Sequence, residues 1–401
     1  MNLDDKLSPV VKNLAPSGIR RFFDLVSQNP NAISLGVGEP DFTTPWHVRD
    51  TAITSLETGQ TSYTSNQGMP ELISQICRYL ADRYELSYTN NEIMVTFGAS
   101  EAIDLAFRAI LAPGDEVLVP EPCYVSYTPC VELAGGKSVP VPTHARHGFK
   151  LNVDELKKRV TPRTKALIVN YPNNPTGAIM TREDWLPIAK WVKQRGILII
   201  SDEVYSELTY KGHHVSIASL PDMKEQVILI NGFSKAFAMT GWRIGYAAAP
   251  GPLLQGMLKI HQYTALCAPI TSQIAALEAL RNGLTECEAM VSQYDRRRRL
   301  VVKAFQDLGL PCHEPKGAFY VFPSISVTGM DAQTFAERLL IEEEVAVVPG
   351  DVFGSNGAGH IRCSYATSIE KLEKAFSRME RFLKRHRKAG STGTAIQTHG
   401  A

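Results

Sequence analysis

The sequence contains no run of 18 consecutive apolar residues, no surplus of either charge and no paired cysteines, and each absence removes a class of protein. Without such a run no segment is suited to cross a bilayer as a helix. Residues 1–13 carry Asp4, Asp5, Lys6 and Lys12 where a secretory leader would have its apolar core. The 42 Lys and Arg against 41 Asp and Glu leave a formal charge of +1, so no global field draws the chain to nucleic acid or an anionic membrane. The cysteines, Cys77, Cys123, Cys130, Cys267, Cys287, Cys312 and Cys363, are scattered, odd in number and never spaced as CxxC. That pattern indicates neither a disulfide framework nor a zinc site. A reduced, metal-free, cytoplasmic protein is expected, with no nucleic-acid or membrane partner. Gly36-Val37-Gly38 also lacks the third glycine of a dinucleotide fingerprint.

What is present is a chain of 401 residues, 44% of them hydrophobic, enough for two or three domains at roughly 150 residues each. From residue 93 onward, short β-rich runs at 93–96, 116–119, 166–169, 197–200, 227–230 and 244–247 alternate with helical stretches. Continuous apolar runs bounded by turn residues suit strands buried on both faces, which predicts a mostly parallel α/β sheet. Ligands of such sheets sit beyond the carboxyl ends of the strands. Farther along, 284–308 reads as a long helix, 318–322 as a strand, and 331–343 and 368–385 as helices, an α+β pattern suggesting a second domain.

Three segments carry chemistry. In Ser234-Lys235-Ala236 a single lysine follows a buried strand among small and apolar residues. Desolvation and a nearby cation lower an amine's pKa, which suits it to form an imine and then carry a proton. Taken alone the pair is a weak signal, since solvated surface lysines are common. Asp202-Glu203-Val204-Tyr205 puts Asp202 at a strand end, where a helix N-cap is the plain alternative. If Asp202 is buried it needs a cation, and a protonated pyridine nitrogen would serve. Asn173-Asn174-Pro175-Thr176-Gly177 also follows a strand and could be no more than a turn.

Together, in this order and with Ser-Lys-x-x-x-x-x-Gly-x-Arg after them, these motifs resemble the class I/II aminotransferases of PLP (pyridoxal 5'-phosphate) fold type I, a family that includes the aspartate and aromatic aminotransferases. The resemblance runs from about residue 31 to 383. It implies a large domain, 45–285, with a mostly parallel sheet flanked by helices. It also implies a smaller α+β domain, 286–388, joined by the N-terminal segment 1–44; the tail at 389–401 lacks the apolar surface needed to offset ordering and is expected to be flexible. By the same resemblance Lys235 is the Schiff-base lysine, Asp202 pairs with the pyridinium nitrogen, and Tyr205 with Asn174 bonds the phenolic oxygen. Ala99 and Ser100, at a strand-to-helix junction suited to an anion, form the phosphate cup with Ser234 and Arg243. Tyr124 lies over the ring, and Tyr63 reaches the phosphate of a neighbouring subunit, which implies a homodimer with shared active sites. Arg362, with Gly38 and Asn174 beside it, takes the substrate α-carboxylate.

The implied reaction is PLP-dependent transamination of an L-amino acid with a 2-oxo acid, 2-oxoglutarate being the expected acceptor. The donor is left open among aspartate, aromatic and other amino acids. Arg20 and Arg108 are candidates for a distal carboxylate, against the simpler reading of solvated arginines. The alternative reaction is β-elimination from a sulfur amino acid, because related lyases share Lys235, Asp202 and Tyr205. The basic run Arg296 to Arg299 spreads around a helix and does not form a nucleic-acid stripe.

Overall fold

The computed structural model describes residues 1–16, 18, 19, 26, 27, 29 and 31–387. In chain order the strands are Ile33–Ser34 (β1), Ile93–Thr96 (β2), Glu116–Glu121 (β3), Lys137–Pro142 (β4), Thr164–Asn170 (β5), Leu198–Asp202 (β6), Val227–Gly232 (β7), Gly245–Ala248 (β8), Tyr320–Val321 (β9), Val345–Ala346 (β10), Val348–Pro349 (β11) and Ile361–Ser364 (β12). Seven of them form the main sheet, in the order β2-β8-β7-β6-β5-β3-β4. The pairs from β7 through β4 are parallel. The expected mostly parallel sheet is present, with one exception: β8 runs antiparallel to both neighbours.

Successive residues of each strand enter different apolar clusters. Leu167, Val169, Ile199 and Leu229 face one way, with Leu72, Trp185 and Ala276 from covering helices. Ala166, Ile168, Ile200 and Ile230 face the other, with Ala106, Phe107 and Met257. A sheet covered on both faces has no polar side, hence the unbroken apolar runs, and each Leu or Ile so buried contributes ~1.5–3 kcal/mol. Strand β4 escapes the apolar pattern because it is an edge strand, only partly buried, where Pro140 and Pro142 are tolerated.

A third cluster lies around the helix Leu284–Asp307, the helices Ala332–Glu343 and Ile369–His386, and β9 to β12. Asp331 and Ser368 cap the last two helices by accepting from Thr334 N at 2.8 Å and Lys371 N at 3.3 Å. Here β12 lies between β11 and β9, and the N-terminal β1 pairs in parallel with β10. The basic run is held by acids: Arg297 meets Asp41 at 2.7 Å, while buried Arg298 reaches Asp295 at 2.8 Å and Glu314 at 2.6 Å. Among the described residues no helix is long and apolar enough to cross a membrane, and no cluster of His, Cys, Asp or Glu could hold a metal. The expected tail at 389–401 lies outside the described residues.

Candidate active site

The carboxyl ends of β5, β6 and β7 open into a cavity of about 420 Å³. Strand β5 ends at Asn170, β6 at Asp202, and the one-turn helix Phe233–Ala236 follows β7 at once. The strand ends are tied together: Asn170 Nδ2 donates to the Asp202 carbonyl at 2.9 Å, and Asn170 Oδ1 accepts from the Asn174 amide at 3.0 Å. The Asn-Pro-Thr-Gly segment is a turn built on Asn173, whose Oδ1 accepts from the Thr176 amide at 3.1 Å and its hydroxyl at 2.7 Å. Turn and site therefore coincide, because the turn fixes where Asn174 stands.

Lys235 lies in this cavity, and its Nζ donates to the Gly38 carbonyl at 2.7 Å. Burial pushes its pKa down to about 8, helped by the charges of Arg362 and Arg243 and opposed by Glu39 and Asp202. Asp202 is buried, and burial pushes its carboxyl up to about 6 against a 2.6 Å hydrogen bond from Tyr127 and a 3.2 Å bond from the Val204 amide. Among the described residues no cation forms an ion pair with it. A carboxylate so placed is fitted to a cationic ring nitrogen.

On the neighbouring wall the helix Gly98–Ile110 presents Ala99 and Ser100 at its amino end. Gly98 sits at φ +73°, and a Cβ there would lie 2.7 Å from Arg243 Nη2, so the guanidinium lies directly against the backbone of the turn. Ser234 and Arg243 line the same wall, and Arg243 holds a left-handed backbone at φ 51°, uncommon away from glycine. A helix amino end, two hydroxyls and a guanidinium make a donor set for a phosphate dianion. Tyr124 lines the cavity with its ring edge-on to Tyr127 at 5.6 Å.

The opposite wall carries Arg362, from β12. Its Nη1 donates to Asn174 Oδ1 at 2.9 Å and its Nη2 to the Gly36 carbonyl at 2.6 Å, while its buried Nε has no partner. An incompletely bonded, buried guanidinium is the arrangement a carboxylate ligand would complete. Tyr205 is bonded hydroxyl to hydroxyl with Tyr320 at 2.8 Å.

Gly38, Ala99, Ser100, Tyr124, Asn174, Asp202, Tyr205, Ser234, Lys235, Arg243 and Arg362 thus meet in one cavity, from segments far apart in the chain. Tyr63 does not: its side chain is 83% exposed on the surface of the single chain. Arg108 points away as well, exposed and paired with Asp104 at 3.4 Å. Arg20 lies outside the described residues. Residues not singled out from sequence also line the cavity, Tyr127, Asn170, Glu39 and Tyr320 among them. Tyr127, three residues after Tyr124, opens the helix Tyr127–Leu133, and no motif marks it. Tyr320 is embedded in an apolar run that reads as core.

The model of the family "Aminotransferase class I and II" matches residues 30–379. The Bacillus subtilis protein YugH, named as an aminotransferase without a substrate, is 54% identical over 94% of this chain and 98% of its own. The aspartate aminotransferase of Pyrococcus abyssi is 47% identical, covering 96% and 99% of the two chains. Among solved structures, the aromatic aminotransferase of Pyrococcus horikoshii superposes with a TM-score of 0.87 at 48% identity, over 91% of this chain and 99% of that one. The aspartate aminotransferase of Thermus thermophilus with maleate gives 0.90 at 39% identity, over 94% and 99%.

Proposed function

The chain belongs to the aminotransferase class I and II family, whose members use pyridoxal phosphate and whose fold type I architecture it shares, and from that premise we propose how its own residues carry out transamination. The reading rests above all on one observation: Lys235, whose pKa burial pushes down, shares a cavity with Asp202, a buried carboxylate that forms no ion pair among the described residues. Asp202 would hold the ring nitrogen, with Tyr205 and Asn174 at the ring oxygen and Tyr124 over the ring face. Ala99, Ser100, Ser234 and Arg243 would hold the phosphate. Bound there, pyridoxal phosphate supplies an electron-accepting ring conjugated to the substrate's amino carbon.

Arg362 binds the α-carboxylate through its guanidinium and, with Asn174, sets the orientation of the α-carbon. Lys235 Nζ, which is readily neutral near pH 8, takes the α-proton and later gives a proton back. Its bond to the Gly38 carbonyl holds the amine on the substrate side of the cavity. Relatives named for aspartate and for aromatic amino acids support donors of both kinds, and the acceptor in this reading is 2-oxoglutarate, as the sequence resemblance implies. A homodimer is supported by the exposure of Tyr63, Tyr263 and Trp46, 83%, 88% and 61% respectively, on the isolated chain. The reduced cysteines and even charge fit a cytoplasmic enzyme. An absorbance scan during addition of each of a panel of amino acids, with product identification, tests the reading. Formation of the matching 2-oxo acid supports transamination, whereas pyruvate and ammonia from a sulfur amino acid alone would replace it with β-elimination.

A further inference from the structure

Tyr320 lines the cavity beside Arg362 and Tyr205, and nothing in the motifs assigns it a role. It is 1% exposed, yet it lines the cavity. Its ring lies against the guanidinium of Arg362, 4.5 Å from ring centroid to Cζ. Its hydroxyl is 2.8 Å from that of Tyr205, and the two rings meet edge to face at 5.8 Å. The backbone leaves room for this hydroxyl on purpose of sequence: a Cβ on Gly38 would lie 2.7 Å from it, and the Gly38 carbonyl is the acceptor for Lys235. One phenol therefore touches the arginine read as carboxylate-binding, the tyrosine read as facing the cofactor's ring oxygen, and the glycine that orients the lysine.

We propose that Tyr320 is a positioning residue that couples Arg362 to Tyr205, its ring supporting the guanidinium and its hydroxyl donating to the Tyr205 oxygen when Tyr205 donates to the cofactor. This rests on the site reading above. Neither phenol ionises in the working range, since burial raises both. The charged and titratable groups facing the pair are Arg362, Asp202, Glu39 and Tyr124. In a chain of hydrogen bonds each member polarises the next, so a Tyr205 that accepts from Tyr320 is the stronger donor. Stronger donation stabilises negative charge on the ring oxygen and holds the protonation midpoint of the bound cofactor low. The ring face contributes separately, through its attraction for the guanidinium.

The test uses the PLP-loaded wild type, Tyr320→Phe, Tyr320→Leu, Tyr205→Phe and the Tyr205→Phe/Tyr320→Phe double variant. The readouts are the pH midpoint of the cofactor's visible absorbance and the separate kcat and KM for one donor amino acid. Tyr320→Phe is expected to raise the midpoint by ~0.3 pH unit, about two-fold in the protonation constant, with little change in KM. Tyr320→Leu should add a rise in KM of about five-fold, because the ring under Arg362 is lost. In the Tyr205→Phe background, Tyr320→Phe should leave the midpoint where Tyr205→Phe alone put it. A midpoint that stays or falls in Tyr320→Phe overturns the proposal while the site reading stands, and so does an equal rise in both backgrounds. A wild-type protein that takes up no PLP overturns the site reading and this proposal with it.

Discussion

Lys235 Nζ and the carbonyl oxygen of Gly38 stand 2.7 Å apart, bonded across 197 positions of sequence. The bond fixes the amine of the loop after β7 against the N-terminal segment, so the amine's place depends on both. Lys235→Ala removes the amine and leaves the cavity wall otherwise intact. We expect the visible absorbance of the loaded protein to lose its lysine-dependent band and turnover to fall by at least ~10²–10⁴-fold, the range for a lost acid–base group. An unchanged spectrum in that variant would remove Lys235 from the site.

The same lysine should tax the stability of the cofactor-stripped protein, with a definite sign. Its folded-state pKa of about 8 lies below the ordinary 10.5, so between these values the unfolded chain holds more protons. Stability therefore rises with pH across that window, and below pH 8 the penalty is present in full. Lys235→Met, which carries no charge in either state, should stabilise the stripped protein at pH 7 by up to ~3 kcal/mol. That advantage should fade as pH rises from 8 toward 10.5. Urea midpoints of both proteins at pH 7 and pH 10 measure it, and equal midpoints at pH 7 would show that the amine is not desolvated.

Asp202 shows the opposite sign. Its carboxyl, raised to about 6 from an ordinary 3.8, keeps its proton longer when folded, so the stripped protein loses stability as pH rises from 4 to 6. A cationic ring nitrogen would relieve the ionised form. Wild-type affinity for PLP should accordingly strengthen as Asp202 ionises around pH 6, whereas Asp202→Asn should show no such step and bind about 10²-fold or more weakly, as for a broken buried charge pair. Titrations at pH 5 and pH 7 decide; parallel behaviour of the two proteins would separate Asp202 from the cofactor.

The contrast between Asp202 and Tyr320 shows what the sequence could and could not convey. Apolar runs locate β2, β3, β5, β6 and β7 because the sheet is covered on both faces, but the polar strand ends Asn170 and Asp202 are recognisable only through the motifs that contain them. The antiparallel course of β8 leaves no mark in composition, since a buried strand is apolar in either direction. Lys235, Asn174 and Arg362 stand in motifs with chemistry of their own. Tyr320 does not: in Ala318-Phe319-Tyr320-Val321-Phe322 a phenol is indistinguishable from core until the fold sets its hydroxyl beside Tyr205. Tyr63 marks the reverse limit, since its ring is exposed on the single chain and the role proposed for it needs a second chain.

Arg362 makes the strongest claim on substrate recognition, and a lysine in its place isolates geometry from charge. The guanidinium bonds Asn174 and the Gly36 carbonyl at once and lies against the ring of Tyr320. An ammonium keeps the charge but cannot hold both contacts and still offer a planar pair of donors. Arg362→Lys should therefore raise KM for every donor amino acid by about 10–100-fold, corresponding to ~1.5–3 kcal/mol for a charge-assisted contact, with a smaller effect on kcat. Because the α-carboxylate is common to all donors, the losses on aspartate, phenylalanine and methionine should be equal. Arg108→Ala supplies the comparison: exposed and paired with Asp104, Arg108 contacts nothing in the cavity of its own chain. A loss confined to aspartate in Arg108→Ala would mean that the arginine reaches the substrate of a second subunit, and a loss confined to aspartate in Arg362→Lys would move Arg362 from the α-carboxylate to the distal one.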